Sequence, residues 1–281
     1  MKKAIVFWCI FISFSFAYAQ APRGNPMSDA ISSMESAFDQ EEATSLDAYY
    51  LGRAVAANLL SAYKHYTGNP ELTRYLNRIC QTIVINSAYP DLYNGYHVII
   101  LDSPEFNALA TPGGHILITK ALVEACTSED MLAAIIAHEL AHIMLKHSLS
   151  TIDEMRLHEE MSAMGDRAIQ FAGNTQAAAR LSLFRNSVSA AIDALVKNGY
   201  SQEQEFEADQ GAVVLLAASG YNPQALLELL RILQRVQGSQ RGGFNSTHPS
   251  PGDRIENAGR FISQYRVEDT RSHRVQRFRN K

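Results

Sequence analysis

His138 and His142 stand four residues apart in the run AAIIAHELAHIMLKH, Ala133 to His147, with Glu139 beside the first and apolar residues around all three. An unsatisfied polar group in such a run costs on the order of a few kcal/mol, so these side chains must be bound to something. Four apart on a helix, the two imidazoles lie about 40° from each other on one face, close enough to share one ion. HExxH on a helix is a zinc signature: neutral imidazoles suit a borderline-soft divalent cation, and the glutamate polarises a water on it. Composition alone would produce the pattern in roughly one chain of this length in sixty. The reading is one zinc ion per chain, held by His138 and His142, with Glu139 as the catalytic base.

A catalytic zinc takes three protein ligands and keeps a fourth position open. A metzincin scheme, HExxHxxGxxH, fails here, because Leu145 stands where its glycine belongs and Ser148 where its histidine belongs. His147 is the remaining histidine of the run. Downstream, YSQEQEFEADQGAVVLLAASG (Tyr200 to Gly220) carries four acids and turns apolar toward its end. On a wheel of about 100° per residue, Glu205 and Asp209 fall among Ala208, Ala212 and Leu216, whereas Glu203 and Glu207 fall opposite with Gln210. The latter two suit an exposed acidic helix start. Glu205 is therefore the expected third ligand, and Asp209, one turn on, the acceptor for a ligand histidine's other ring nitrogen.

The elements that must position these residues are legible in outline. LDAYYLGRAVAANLLSAYKHY has helical spacing, and a second helix starts after GNP, with Asn69 as cap and Pro70 at its first position. YHVIILD, Tyr96 to Asp102, reads as a strand. NALATPGGHILIT reads as a second strand, a Pro112-Gly113-Gly114 turn and a third strand. Thr127 and Asp130 resemble a capping box ahead of the histidine-bearing helix, which should run to about Lys146. From there to about Tyr265 the pattern is helix and loop, including an amphipathic helix after Asn222-Pro223. The segment from Ser148 to Asn198 reads as a lid over the cleft, or as alanine-rich stretches suited to packing or to self-association.

With HELAH and EFEAD on the page, the chain resembles the gluzincin peptidase family M48, whose pattern is HExxH followed tens of residues later by ExxAD. NALATPGGHILIT, GYNPQALLELL and THPSPGDRIENA, Thr247 to Ala258, match further stretches of that family in its order. The resemblance implies an α+β, mainly helical fold: a zincin-like metallopeptidase domain with a small β-sheet packed beside the HExxH helix. It implies peptide hydrolysis by one zinc ion. It also implies that His248, of the HPxxxxR stretch, approaches the zinc as a fourth ligand in a latent state. Arg254, from the same stretch, pairs with Asp209 or with substrate. Gly114, His115, Ile116, Leu117 and Ile118, directly before the zinc helix, are expected to pair their backbone with an extended substrate. Substrates are then unfolded or misassembled proteins of a bacterial cell envelope, with peripheral association to the outer membrane or its assembly machinery. The runner-up is a zinc-binding chaperone-like or scaffold protein of the envelope, against which an intact Glu139 argues.

Composition bounds the rest. At 281 residues, 46% hydrophobic and a formal charge of −4, the chain can bury a sizeable core and gives no electrostatic reason to expect a nucleic-acid partner. MKKAIVFWCIFISFSFAYAQ has the three-part layout of a secretory signal, 1–19, with cleavage after Ala19, which implies export to the periplasm or the outer membrane. Residues 20–45 read as a flexible lead-in, 46–265 as the metallopeptidase domain, and 266–281 as a basic, solvated tail. Cys80 and Cys126 are left after cleavage, either bridged or both buried as thiols. Oligomeric state is open.

Overall fold

Two helices come before any strand, α1 over 48–62 and α2 over Pro70–Val84. Asn69 caps α2, its side chain accepting the Leu72 N–H, and Pro70 follows at the position where a missing N–H costs nothing. The computed structural model describes residues 48–151, 186, 188–189, 191–237, 248, 251–265 and 271–279. The expected signal 1–19, the lead-in 20–45 and most of 148–198 lie outside the described residues.

Three strands form one sheet: β1 His97–Leu101, β2 Ala108–Thr111 and β3 His115–Thr119. Their order is β1-β3-β2, with β3 parallel to β1 and antiparallel to β2. The Pro112-Gly113-Gly114 turn needs its glycines: Gly113 has φ +79°, and a Cβ there would sit 2.4 Å from the Tyr49 Cα. Alternation along β3 sends Ile116 and Ile118 into the main core and Leu117 into a second core with Leu51, Val55 and Leu59 of α1.

This topology corrects one expectation. Gly114, His115, Ile116, Leu117 and Ile118 cannot offer an open backbone edge, because β3 is the central strand and is paired on both sides. The outer edge of β1 is covered as well: the Asn77 amide donates to Val98 O and accepts the Val98 N–H, and Tyr66 N–H donates to Ile100 O. The ladder's other edge belongs to β2, whose four residues are all buried. Thr119 N–H donates to Asn107 O, so in the alternating antiparallel ladder Ala108 and Ala110 direct their backbone groups away from β3.

α3 (Lys120–Ala125) leads into α4 (Glu129–Met144), the HExxH helix, in which every residue from Glu129 to His142 is buried. A helix apolar on all sides belongs in the middle of a fold. Its cap is Ser128, which accepts the Met131 N–H, one residue later than the expected Thr127, whose hydroxyl instead meets the Met131 sulfur. After a short helical stretch over 147–151 and a π-helical segment, Asp193–Asn198, come α5 Gln202–Ala218, α6 Gln224–Gln237, α7 Pro251–Ile262 and α8 Arg271–Arg279. α5 starts at a Ser201/Gln204 capping box and lies close on α4: a Cβ on Gly211 would come 2.9 Å from that of Ala141. Small residues at this crossing let a carboxylate of α5 reach the histidines of α4. The fold is thus α+β and mainly helical, and no described helix is long and apolar enough to cross a membrane. Cys80 and Cys126 are both buried thiols outside any disulfide, and burial pushes Cys80 up to about 12.

The tail departs from expectation. Residues 271–279 are not a solvated end but helix α8, which closes over the start of α4. The reason is a pair of buried acids. Glu129 accepts from Tyr75 and Tyr221 hydroxyls and pairs with Arg277; Asp130 accepts the Asn222 N–H and pairs with Arg274, itself 5% exposed and bonded to Gly220 O. Acids suit a helix N-terminus, but buried ones also need cations, and the tail provides them. Arg274→Ala should lower unfolding stability by about 2–3 kcal/mol, since it leaves Asp130 with one hydrogen bond in place of an ion pair. A change below about 0.5 kcal/mol in urea denaturation would show that α8 does not brace α4.

Candidate metal centre

α4 presents His138 and His142 with both Nε2 atoms turned to one point, 3.1 Å apart. α5 brings Glu205 to the same point, its Oε1 3.3 Å from His142 Nε2 and its Oε2 3.6 Å from His138 Nε2. His248 completes the group, its Nδ1 2.7 Å from Glu205 Oε1 and 3.4 Å from His138 Nε2. One ligand atom from each of these four buried residues lies within 4.8 Å of every other. Two nitrogens, a carboxylate oxygen and a third nitrogen are a donor set that suits zinc. Without a cation, four buried polar side chains would crowd together with incomplete hydrogen bonding, so the residues fit a metal.

Glu139 sits beside this group, fully buried, and neither carboxylate oxygen has a hydrogen-bond partner among the described residues. Its nearest ionic neighbour is His248 Nε2, at 3.8 Å. Burial raises its carboxyl, against the pull of His248 and His138. Glu205 is the reverse case. Burial would raise it, but Arg254 and His248 overrule that and hold it well below the usual carboxylate range. A low-lying, ionised carboxylate is the form a cation needs.

Arg254 is 1% exposed and joins both acids of α5, with Nη1 2.6 Å from Glu205 Oε2, and Nε and Nη2 at 2.8 and 2.7 Å from the two Asp209 oxygens. Of the two partners expected for it, Asp209 is the one it meets, and Glu205 is a third that the wheel did not foretell. Asp209 Oδ1 is also 3.1 Å from His138 Nδ1, the ring nitrogen facing away from the cluster. Glu203 and Glu207 are exposed, as the wheel places them.

Three neighbours escaped the sequence reading. Tyr200 is buried and stacks on His142 at 3.9 Å between ring centres, and its hydroxyl shares a 2.8 Å hydrogen bond with Ser148. Ser148 in turn donates to Ala110 O. His147, considered above only as a remaining histidine, brings its Nδ1 within 2.9 Å of His142 Nδ1, while its Nε2 is 3.1 Å from Glu207 Oε2. Neither Tyr200 nor Glu207 carries a signal that a helical wheel would detect, because each contact spans tens of residues or more.

A mainly helical α+β domain in which a buried HExxH helix meets a carboxylate from a later helix, with a small sheet alongside, is a zincin-like metallopeptidase domain. The chain belongs to peptidase family M48, whose model matches residues 70–261. It is 24% identical over 200 residues to the β-barrel assembly-enhancing protease of Escherichia coli K12, an alignment covering 70% of this chain and 40% of that one. It is 28% identical over 199 residues to the mitochondrial metalloendopeptidase OMA1 of Schizosaccharomyces pombe, covering 70% and 55%. The chain therefore spans about half the length of these relatives.

Proposed function

We propose that this protein is a zinc-dependent endopeptidase of a bacterial cell envelope, which cleaves unfolded or misassembled polypeptides and rests in a latent state held by His248. The observation that carries this reading is the buried group of His138, His142, Glu205 and His248 beside a glutamate whose oxygens have no hydrogen-bond partner among the described residues. Membership of the family supports peptide hydrolysis. A relative named for enhancing β-barrel assembly supports an envelope setting, as do the signal-like residues 1–19.

His138, His142 and Glu205 would hold the ion. When bound, zinc supplies a Lewis acid for the scissile carbonyl and brings the pKa of a coordinated water to about 7. The Glu139 carboxylate would be the base, taking a proton from the attacking water and passing it to the leaving amine. Its burial excludes bulk solvent that would compete for the proton. Asp209 accepts from His138 Nδ1–H, which leaves Nε2 free to ligate, and Arg254 balances the charge of Asp209 and Glu205.

We assign substrate docking to the β2 edge in place of β3. An extended chain pairing there would have to displace His248 from Ala108 O and Ser148 from Ala110 O to reach the outward backbone groups of these buried residues; such pairing favours polypeptides free of their own structure and demands little of their sequence. Ala110→Pro removes an outward N–H without touching the β2–β3 ladder. It should raise KM for unfolded substrates while zinc content stays constant; unchanged peptide kinetics would dismiss this edge.

His248 occupies both places that a substrate would need. Its Nδ1 faces Glu205 and the metal position, and its Nε2 lies 3.3 Å from Ala108 O on the β2 edge. The full chain, tested on a reduced, denatured carrier protein with bound zinc counted, should cleave slowly, and His248→Ala should cleave at least severalfold faster. Equal or lower cleavage by His248→Ala would refute latency. Zinc bound with no cleavage by any form would favour the chaperone-like reading.

A further inference from the structure

We infer that His147 and Glu207 form a relay that fixes the tautomer and aim of His142. They are positioning residues for the metal, and the inference rests on the metallopeptidase reading above. A neutral imidazole carries one proton. If His142 gives Nε2 to the cation, its proton stands on Nδ1, and the atom facing that position is His147 Nδ1, 2.9 Å away. Two like nitrogens at that distance share one proton only if the second is bare. The proton of His147 is then on Nε2, where Glu207 Oε2 lies 3.1 Å away. The chain runs N–H to N, then N–H to O⁻, and ends on a carboxylate that can only accept. One carboxylate thereby dictates the protonation of two rings.

The backbone is shaped for this contact. On an unbroken helix, His147 would stand five residues beyond His142, about 140° around the axis, and could not meet it. α4 instead stops at Met144, and Lys146 takes the left-handed conformation, φ +58°, which costs a non-glycine residue about 1–2 kcal/mol. The turn carries His147 back beneath His142 and buries it at 4% exposure. Its Lys146 N–H donates to Ile143 O and its Leu145 N–H to Ala141 O, so the reversal is hydrogen-bonded as well as strained. His138 has the simpler version of the same device, with Asp209 accepting directly from its Nδ1. α5 thus provides one ligand, Glu205, and the terminal acceptor behind each ligand histidine.

Glu207 makes the relay testable apart from the fold, because its side chain is 63% exposed. In the zinc-loaded full chain, ring nitrogen-15 spectra should report His147 protonated at Nε2 and bare at Nδ1. Zinc affinity, measured by competition with a chelator, should weaken about tenfold in Glu207→Ala and up to about a hundredfold in His147→Phe. Glu207→Gln, which keeps an acceptor oxygen, should recover most of the loss, and the metal-free Glu207→Ala chain should melt as the parent does. Wild-type zinc affinity in both Glu207→Ala and His147→Phe, or a proton on His147 Nδ1, overturns the relay and leaves the metallopeptidase reading standing. A parent chain that binds no zinc overturns that reading, and the relay with it.

Discussion

Glu139→Gln is expected to cut cleavage of an unfolded protein by about 10²–10⁴-fold, with zinc still bound at one ion per chain. Glutamine fills the same volume but cannot take a proton, so the variant removes the proposed base and little else. The four side chains that converge on the metal position do not include Glu139, whose nearest ionic contact to them is 3.8 Å from His248. Metal content should therefore be unaffected. The metal-free variant should be no less stable than the parent, because a fully buried carboxylate without a hydrogen-bond partner among the described residues contributes nothing favourable to give up. Initial rates on a denatured carrier, with metal counted in the same samples, provide the check. Retention of more than about a tenth of the parent rate would mean that another group is the base.

Arg254→Met should produce the largest loss of stability, about 3–5 kcal/mol in the metal-free chain, because it strands two buried carboxylates at once. Glu205 and Asp209 are both 0% exposed, and in each the guanidinium is the strongest influence working against burial. The pH dependence should reverse as well. In the parent both carboxyls are depressed, so their contribution is present above the unfolded values of about 4 and is lost as pH falls through the lower folded values. In Arg254→Met burial dominates and raises them. The folded state then holds protons that the unfolded state has released, and stability falls as pH rises above about 4. Chemical denaturation of chelator-treated protein at pH 5 and pH 7 decides the matter. The variant should be the more stable at pH 5, and a loss under about 1 kcal/mol at neutral pH would mean that the arginine is not the counter-ion of this pair.

What could be read in the sequence was local. The helical period alone put His138 and His142 on one face and separated Glu205 and Asp209 from Glu203 and Glu207, and the burial of the first pair and the exposure of the second follow that division. Asn69-Pro70 announced the start of α2, and the Pro112-Gly113-Gly114 turn joined two strands, because caps and tight turns are decided by a few adjacent residues. Resemblance to a family supplied a role for His248 that spacing could not.

The tertiary structure decided everything that depends on which distant segments meet. Three strands of similar apolar character cannot declare which is central, so β3 was taken for an edge until the order β1-β3-β2 placed it in the middle and left β2 at the side of the ladder. The basic residues of 271–279 read as solvated because their partners, Glu129 and Asp130, lie more than a hundred residues earlier and are acids whose burial is invisible in a one-dimensional pattern. His147 appeared unrelated to His142 for as long as α4 was taken to continue to Lys146; a single left-handed residue at the end of the helix brought the rings together. Helical spacing is dictated by short-range backbone geometry and is written in neighbouring residues, whereas pairing, burial and counter-ion placement arise only when the chain closes on itself.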